Sequence, residues 1–320
     1  MPARTVCALS LSIMAGAVWS QSYPVKPVRL IVPFAPAGST DVTARIVAQK
    51  LTDAWKQQVI VDNRAGAGGN IGAEAVAKAA PDGYTLLLAT TGVMAINHRL
   101  YRTLPFDALR DFAPVTQIGA LPLILIVHPS LPVKSVKELV GIAKARPGQL
   151  SYASSGVGSA THMTTELFRM MAGVDIVHIP YKGSGQAMAD LIGGQVVLAF
   201  DQITSSLPQV EAGKLRALAV TSAKRFPSVP QLPSVAEAGI PGYESVSWNG
   251  IAAPAATPKD VVVRIQAEVA RALQSPDIKD RFFKDGIEPV ASTPEQFLAH
   301  IRSERVKWEK VVDTAGIKPQ

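Results

Sequence analysis

A single local pattern recurs along this chain and restricts what it can become: a short apolar run ends in a Gly/Ser/Thr-rich turn, and the turn opens an amphipathic helix. Residues 28–34 read as a buried strand and 35–38 as a turn, and the spacing of Val42, Ile46 and Val47 predicts a helix over 41–50. A strand at 59–61, a glycine loop (Gly66, Gly68, Gly69), a helix over 70–80 and a strand at 84–89 repeat the motif. Strands alternating with helices in this way predict an α/β fold with a mainly parallel sheet and helices on both faces.

The pattern restarts further on. Ser135 and Glu138 read as a capping box, and Pro147-Gly148 stops the helix they begin. A strand at 150–153 leads to a helix over 159–172 with Met163, Leu167 and Met170 on one face, and strands follow at 176–179, 196–200 and 215–220. Two late helices should carry proline at their first position, after Thr257 and after Thr293, the second with Gln296 closing a capping box. Extended stretches at 114–129 and 243–254 bracket this second set of elements. A lobe inserted into another through two extended strands predicts a hinge with a cleft at the junction. The expected division is 21–120 plus 247–320 for the first lobe and 121–246 for the second.

Residues 1–20 read as a secretory signal peptide: Arg4, an apolar run to Trp19, and small residues at Val18 and Ser20 before Gln21. Cys7, the single cysteine, lies inside it, so an exported chain would have no thiol chemistry. With 48% hydrophobic and 18% charged residues the chain is globular rather than disordered. The net charge of +7 is dispersed and aromatic residues are only 6%, so no nucleic-acid platform is expected. Histidines lack metal-ligand spacing, Ile71 stands where a dinucleotide fingerprint needs its third glycine, and no P-loop occurs. Neither a metal nor a cofactor is expected.

Three loops, 34–41, 66–70 and 154–159, follow strands and precede helices, where open α/β sheets bind ligands. Free amides and the positive helix end at such positions suit a carboxylate or phosphate. Ser159 and His162, three apart at a helix start, are the one pairing that could serve nucleophilic catalysis.

The stretches PVRLIVPFAPAGSTDVTARIVAQKL, NRAGAGGNIGAEAVAKAAPDGYTLLLAT, YASSGVGSATHMTTELF, HIPYKGSGQAMADLIGGQVVLAFD, AGKLRALAVTSAKRFPSVPQLPSVAEAG and WNGIAAPAATP closely resemble the Bug-type solute-binding proteins of tripartite tricarboxylate transporters, from Tyr23 to the C-terminus. The resemblance implies a two-lobed, type II-like periplasmic binding protein, not an enzyme, that captures a small organic or amino acid for a membrane permease. It implies binding by Phe34, Ala35, Ser39, Thr40, Asp41, Gly68, Asn70, Thr90 and Thr91 from one lobe. From the other it implies Ser154, Ser155, Ser159, Thr161, His162, Tyr181 and Asp201, with Asp201 suited to an amino or hydroxyl group or to a helix cap. A monomer in the periplasm is expected. The alternatives are a ligand-sensing subunit for a membrane signalling protein and a Ser/His hydrolase. Ala37 departs from the family's usual glycine; if that position needs a positive φ, alanine is strained by ~1 kcal/mol.

Overall fold

A computed structural model describes residues 23–319; the leader expected at 1–20 and its cleavage point lie outside them. The first lobe opens with β1 (Val28–Val32), α1 (Ser39–Trp55), β2 (Val59–Asn63), α2 (Asn70–Ala77) and β3 (Thr85–Thr90). A wide helical turn at Gly92–Ile96 runs into the short α3 (Asn97–Leu100). The 16-residue β4 (Phe112–Val127) then leaves this lobe for the second. There follow α4 (Val136–Ala145), β5 (Ser151–Ser154), α5 (Ala160–Ala172), β6 (Val177–Pro180), α6 (Ser184–Ile192), β7 (Leu198–Gln202), α7 (Ile203–Glu211) and β8 (Arg216–Val220). β9 (Val246–Pro254) returns the chain, and α8 (Lys259–Gln274), α9 (Pro276–Lys284), β10 (Glu288–Pro289) and α10 (Pro294–Thr314) complete the first lobe.

Each lobe contains three parallel strands, β2-β1-β3 in the first and β6-β5-β7 in the second. The crossing strands are antiparallel to them: β9 pairs β3, and β4 pairs β9, β7, β8 and β10. The sheets are therefore mixed where they meet. A strand arriving from the other lobe has no βα crossover to align it with its new neighbours.

Helices cover both faces, as the alternation of buried side chains on single strands shows. On β1, Leu30 and Val32 pack with Val47 and Leu51 of α1 and Ile265 and Val269 of α8, whereas Ile31 faces Val76 of α2 and Phe297 and Ile301 of α10. On β4, Leu123, Leu125 and Val127 pack under α4 and α5, and Ile124 and Ile126 under α6. Burial on both faces explains why this part of β4 reads as an unbroken apolar run rather than as alternation.

Two helix starts differ from expectation. Ser135 caps α4 by accepting from the Glu138 amide, but the Glu138 carboxylate takes the Lys134 amide rather than that of Ser135, so the box is shifted by one residue. Pro258 is itself the N-cap of α8 rather than its first residue, and the buried Thr257 hydroxyl has no partner. At Thr293 the box is complete, with the Gln296 side chain accepting from the Thr293 amide at 2.9 Å.

Glu304 of α10 ties the crossing strand to the first lobe. Its Oε2 accepts the indole N–H of Trp248 on β9 at 3.3 Å and that of Trp308 at 3.0 Å, and all three residues are buried. Glu304→Ala leaves two buried donors without an acceptor. It is expected to lower the unfolding free energy by ~2–4 kcal/mol, measured by urea denaturation.

Candidate functional site

The strand ends and helix starts of both lobes converge on one cavity. It is lined by Phe34, Gly38, Thr40, Thr90, Thr91, Ser155, Ser159, Ala160, Ser184, Gln202, Ser247, Trp248 and Asn249, and encloses about 420 Å³ counted to its open mouth. None of these side chains carries a charge. Among the described residues no cluster of His, Cys, Asp or Glu is arranged to hold a metal.

Three helices present their first turns here: α1 at Gly38 and Thr40, α5 at Ser159 and Ala160, and α6 at Ser184. First-turn amides have no intrahelical acceptor, and the helix dipole adds positive potential. α1 has no side-chain cap, so its amides are not covered by its own N-cap residue. Thr90 ends β3 with its hydroxyl buried and without a partner. Thr91 is committed, its Oγ1 accepting the Trp248 amide at 2.9 Å.

Of the residues singled out from sequence, Phe34, Thr40, Thr90, Thr91, Ser155 and Ser159 line the cavity. The others sit one layer back and hold the wall. Asp41 accepts from the Ala37 amide, Arg45 and Asn63; burial alone would raise its pKa, but these bonds hold it below the ordinary value. Ala35 donates its amide to the Lys182 carbonyl, and Ser39 donates its hydroxyl to Gln202 Oε1 at 2.8 Å, both across the cleft. Gly68 and Asn70 bond Asn97. Thr161 accepts from the Ser155 amide, and Tyr181 donates to Asp190, with burial and that carboxylate pushing its pKa up to about 12.

Asp201 also lies behind the wall, beside a second hole that it shares with Ser154, Ser155, Thr161 and Ser184. Its Oδ1 accepts from Ser184 Oγ and the Gln202 amide, both at 2.8 Å, so it orients two lining residues rather than facing the cavity itself. With no cation beside it, burial pushes its pKa up to about 6.

Ser159 and His162 do not form a catalytic pair. The Ser159 hydroxyl donates to the Gly156 carbonyl at 2.6 Å and accepts the His162 backbone amide, which is the bonding of an N-cap. The His162 ring takes the Gly158 amide on Nδ1 and stacks on His178 at 4.2 Å; His178 in turn stacks on Tyr152 and bonds Ser154. Burial lowers the His162 pKa to about 4 and that of His178 to about 3.

Sequence reasoning missed Gln202, Ser247, Trp248 and Asn249, and it passed over Ser184. Gln202 stands at the end of β7, the same strand-end position that singled out Thr90. Ser247–Asn249 lie within the second crossing stretch, which had been read only as a hinge.

Residues 43–317 match the family model TctC, tripartite tricarboxylate transporter family receptor. The chain is 40% identical over 306 residues to protein BugT of Bordetella pertussis, covering 95% of this chain and 94% of that one. Among solved structures it resembles R. palustris Rpa4515 with adipate (44% identity, TM-score 0.91, 93% of this chain and 100% of that one). It also resembles MatC from Rhodopseudomonas palustris with bound malate (32% identity, TM-score 0.87, 91% and 100%).

Two predictions concern this region. Ala37 has φ 65°, so the first loop does require the left-handed conformation, and Ala37→Gly should raise thermal stability by ~0.5–1 kcal/mol. Between pH 6 and 5, His162 and His178 stay neutral when folded but bind about two protons when unfolded, whereas Asp201 takes up its proton only when folded. The unfolded state therefore gains one proton net from these three, and stability should fall by ~1.4 kcal/mol per pH unit on acidification. His98 and His300, lowered by burial, add to the same slope. His162→Asn, whose Oδ1 can replace Nδ1 as acceptor for the Gly158 amide, should flatten the dependence in urea titrations at pH 6, 5 and 4.

Proposed function

The chain belongs to the tripartite tricarboxylate transporter receptor (TctC) family, and from that premise we propose that it captures a small carboxylate between its lobes, with linear dicarboxylates foremost, for uptake by membrane permease subunits. Members of this family are periplasmic solute-binding receptors and not enzymes. In the same reading the chain is exported by the leader at 1–20, acts as a monomer and divides into lobes at 21–120 plus 247–320 and at 121–246.

One observation carries the ligand class: an uncharged interlobe cavity that receives helix starts from both lobes. Oriented amides can hold an anion without a buried cation, and so without the desolvation a buried ion pair incurs. The hydroxyls of Thr90 and Ser155 and the side chains of Gln202 and Asn249 supply further polar contacts. Adipate in one relative and malate in another support a diacid with a carboxylate at each end.

Adipate, malate, tricarboxylates, monocarboxylates and amino acids should be compared by thermal shift and calorimetry. A bound ligand at 100-fold its Kd adds about 2.7 kcal/mol. Stabilisation by a diacid is expected, and none from any carboxylate would refute the assignment. Thr90→Val should act in two directions. It removes an unpartnered buried hydroxyl, which leaves the ligand-free protein at least as stable, and it weakens diacid binding by ~1–2 kcal/mol.

A further inference from the structure

Beside the cavity the two lobes meet backbone to backbone. A Cβ placed on Gly92 would lie 2.7 Å from the Gly158 carbonyl oxygen and 3.3 Å from Ser159 Cα, and the nearest atoms around it all belong to the second lobe. Gly92 itself has no positive φ, so any residue could adopt its backbone conformation. What excludes a side chain there is the other lobe. Beside it, the Tyr101 hydroxyl of the first lobe donates to the Val157 carbonyl of the second at 3.0 Å. Gly68 also touches Val157, but its φ of 61° would penalise a side chain even with the lobes apart.

We infer that Gly92 and Tyr101 determine how far the cleft closes, Gly92 by leaving room for the Gly158 carbonyl and Tyr101 by bonding its neighbour. The inference rests on the reading that the lobes close over a ligand. It adds that closure is controlled by two residues outside the cavity lining, one of them acting through the absence of a side chain. Contacts tighter than about 3 Å cannot be absorbed by a carbonyl held in a loop between β5 and α5, since packed backbone transmits strain rather than yielding to it. Gly92→Ala should therefore leave each lobe folded and hold them apart.

Closure can be read without a ligand. Gly38 and Ser184 face each other across the cleft with Cβ positions 3.6 Å apart, within the separation of about 3.5–4.5 Å that a disulfide spans. Oxidation of Gly38→Cys/Ser184→Cys with diamide, followed by peptide mapping to set Cys7 aside, should trap the closed form. Adding Gly92→Ala should slow cross-linking at least tenfold, and Tyr101→Phe several-fold. Gly141→Ala, at an exposed position of α4 with open space around it, should leave the rate within twofold. Equal rates with and without Gly92→Ala would overturn the inference, as would a cysteine pair that never cross-links. If Gly92→Ala does not fold at all, Tyr101→Phe decides: an unchanged rate overturns the inference. In parallel, calorimetry on chains without the new cysteines should show adipate binding at least tenfold weaker in Gly92→Ala. If no carboxylate of the panel binds the parent chain, the carboxylate reading falls and the cross-linking comparison still stands.

Discussion

The pairing of β4 with β9 is the constraint on which the rest of this architecture depends. The two strands run antiparallel from Phe112 opposite Pro254 to Pro122 opposite Val246, and beyond that point β4 exchanges β9 for β7 and β8. Among the described residues the chain passes between the lobes along these two strands, and at the point where β4 changes partners stands Pro122, which has no N–H to give to a ladder. The side chains just past this point, Ser247, Trp248 and Asn249, are also cavity wall. The cavity floor is thus built on the strand pair that joins the lobes. Glu304 keeps the floor rigid by taking the indole N–H of Trp248.

Charge is handled in two separate places. The chain's excess of seven positive charges is dispersed along its sequence, and a positive balance of this kind can raise the rate at which anions arrive. The cavity has no ionic side chain, and the carboxylate proposed for it would be held by oriented amides and hydroxyls. A buried cation would hold an anion more tightly but would itself need a partner when the ligand leaves. The buried carboxylates nearby stay behind the wall: Asp201 acts through Ser184 and Gln202, and Asp41 through the Ala37 amide.

Much of this was legible from local pattern. The strand–turn–helix repeats, both crossing stretches and the loops at 34–41 and 154–159 rest on periodicity and turn chemistry, which are properties of short segments. Roles within those loops were less legible, because whether a polar side chain faces a cavity or braces its wall depends on partners far along the chain. Ser39 bonds Gln202 and Asn70 bonds Asn97, pairings that no local pattern contains. The antiparallel direction of β8 and β9 likewise follows from the lobe crossing and not from their composition. Ala37 shows the opposite case: a single departure from the family's usual glycine raised the question of a strained backbone, and its φ is 65°.

The uncharged wall bears on how such a receptor diversifies. When an anchor consists of backbone amides at helix starts, it is preserved under nearly any exchange of neighbouring small residues. Swapping serine for alanine or threonine around Ser155, Ser184 and Ser247 reshapes the space offered to the rest of the guest without moving the anchor. Lineages built this way can drift among chemically related nutrients by steps that each leave the protein folded and still binding.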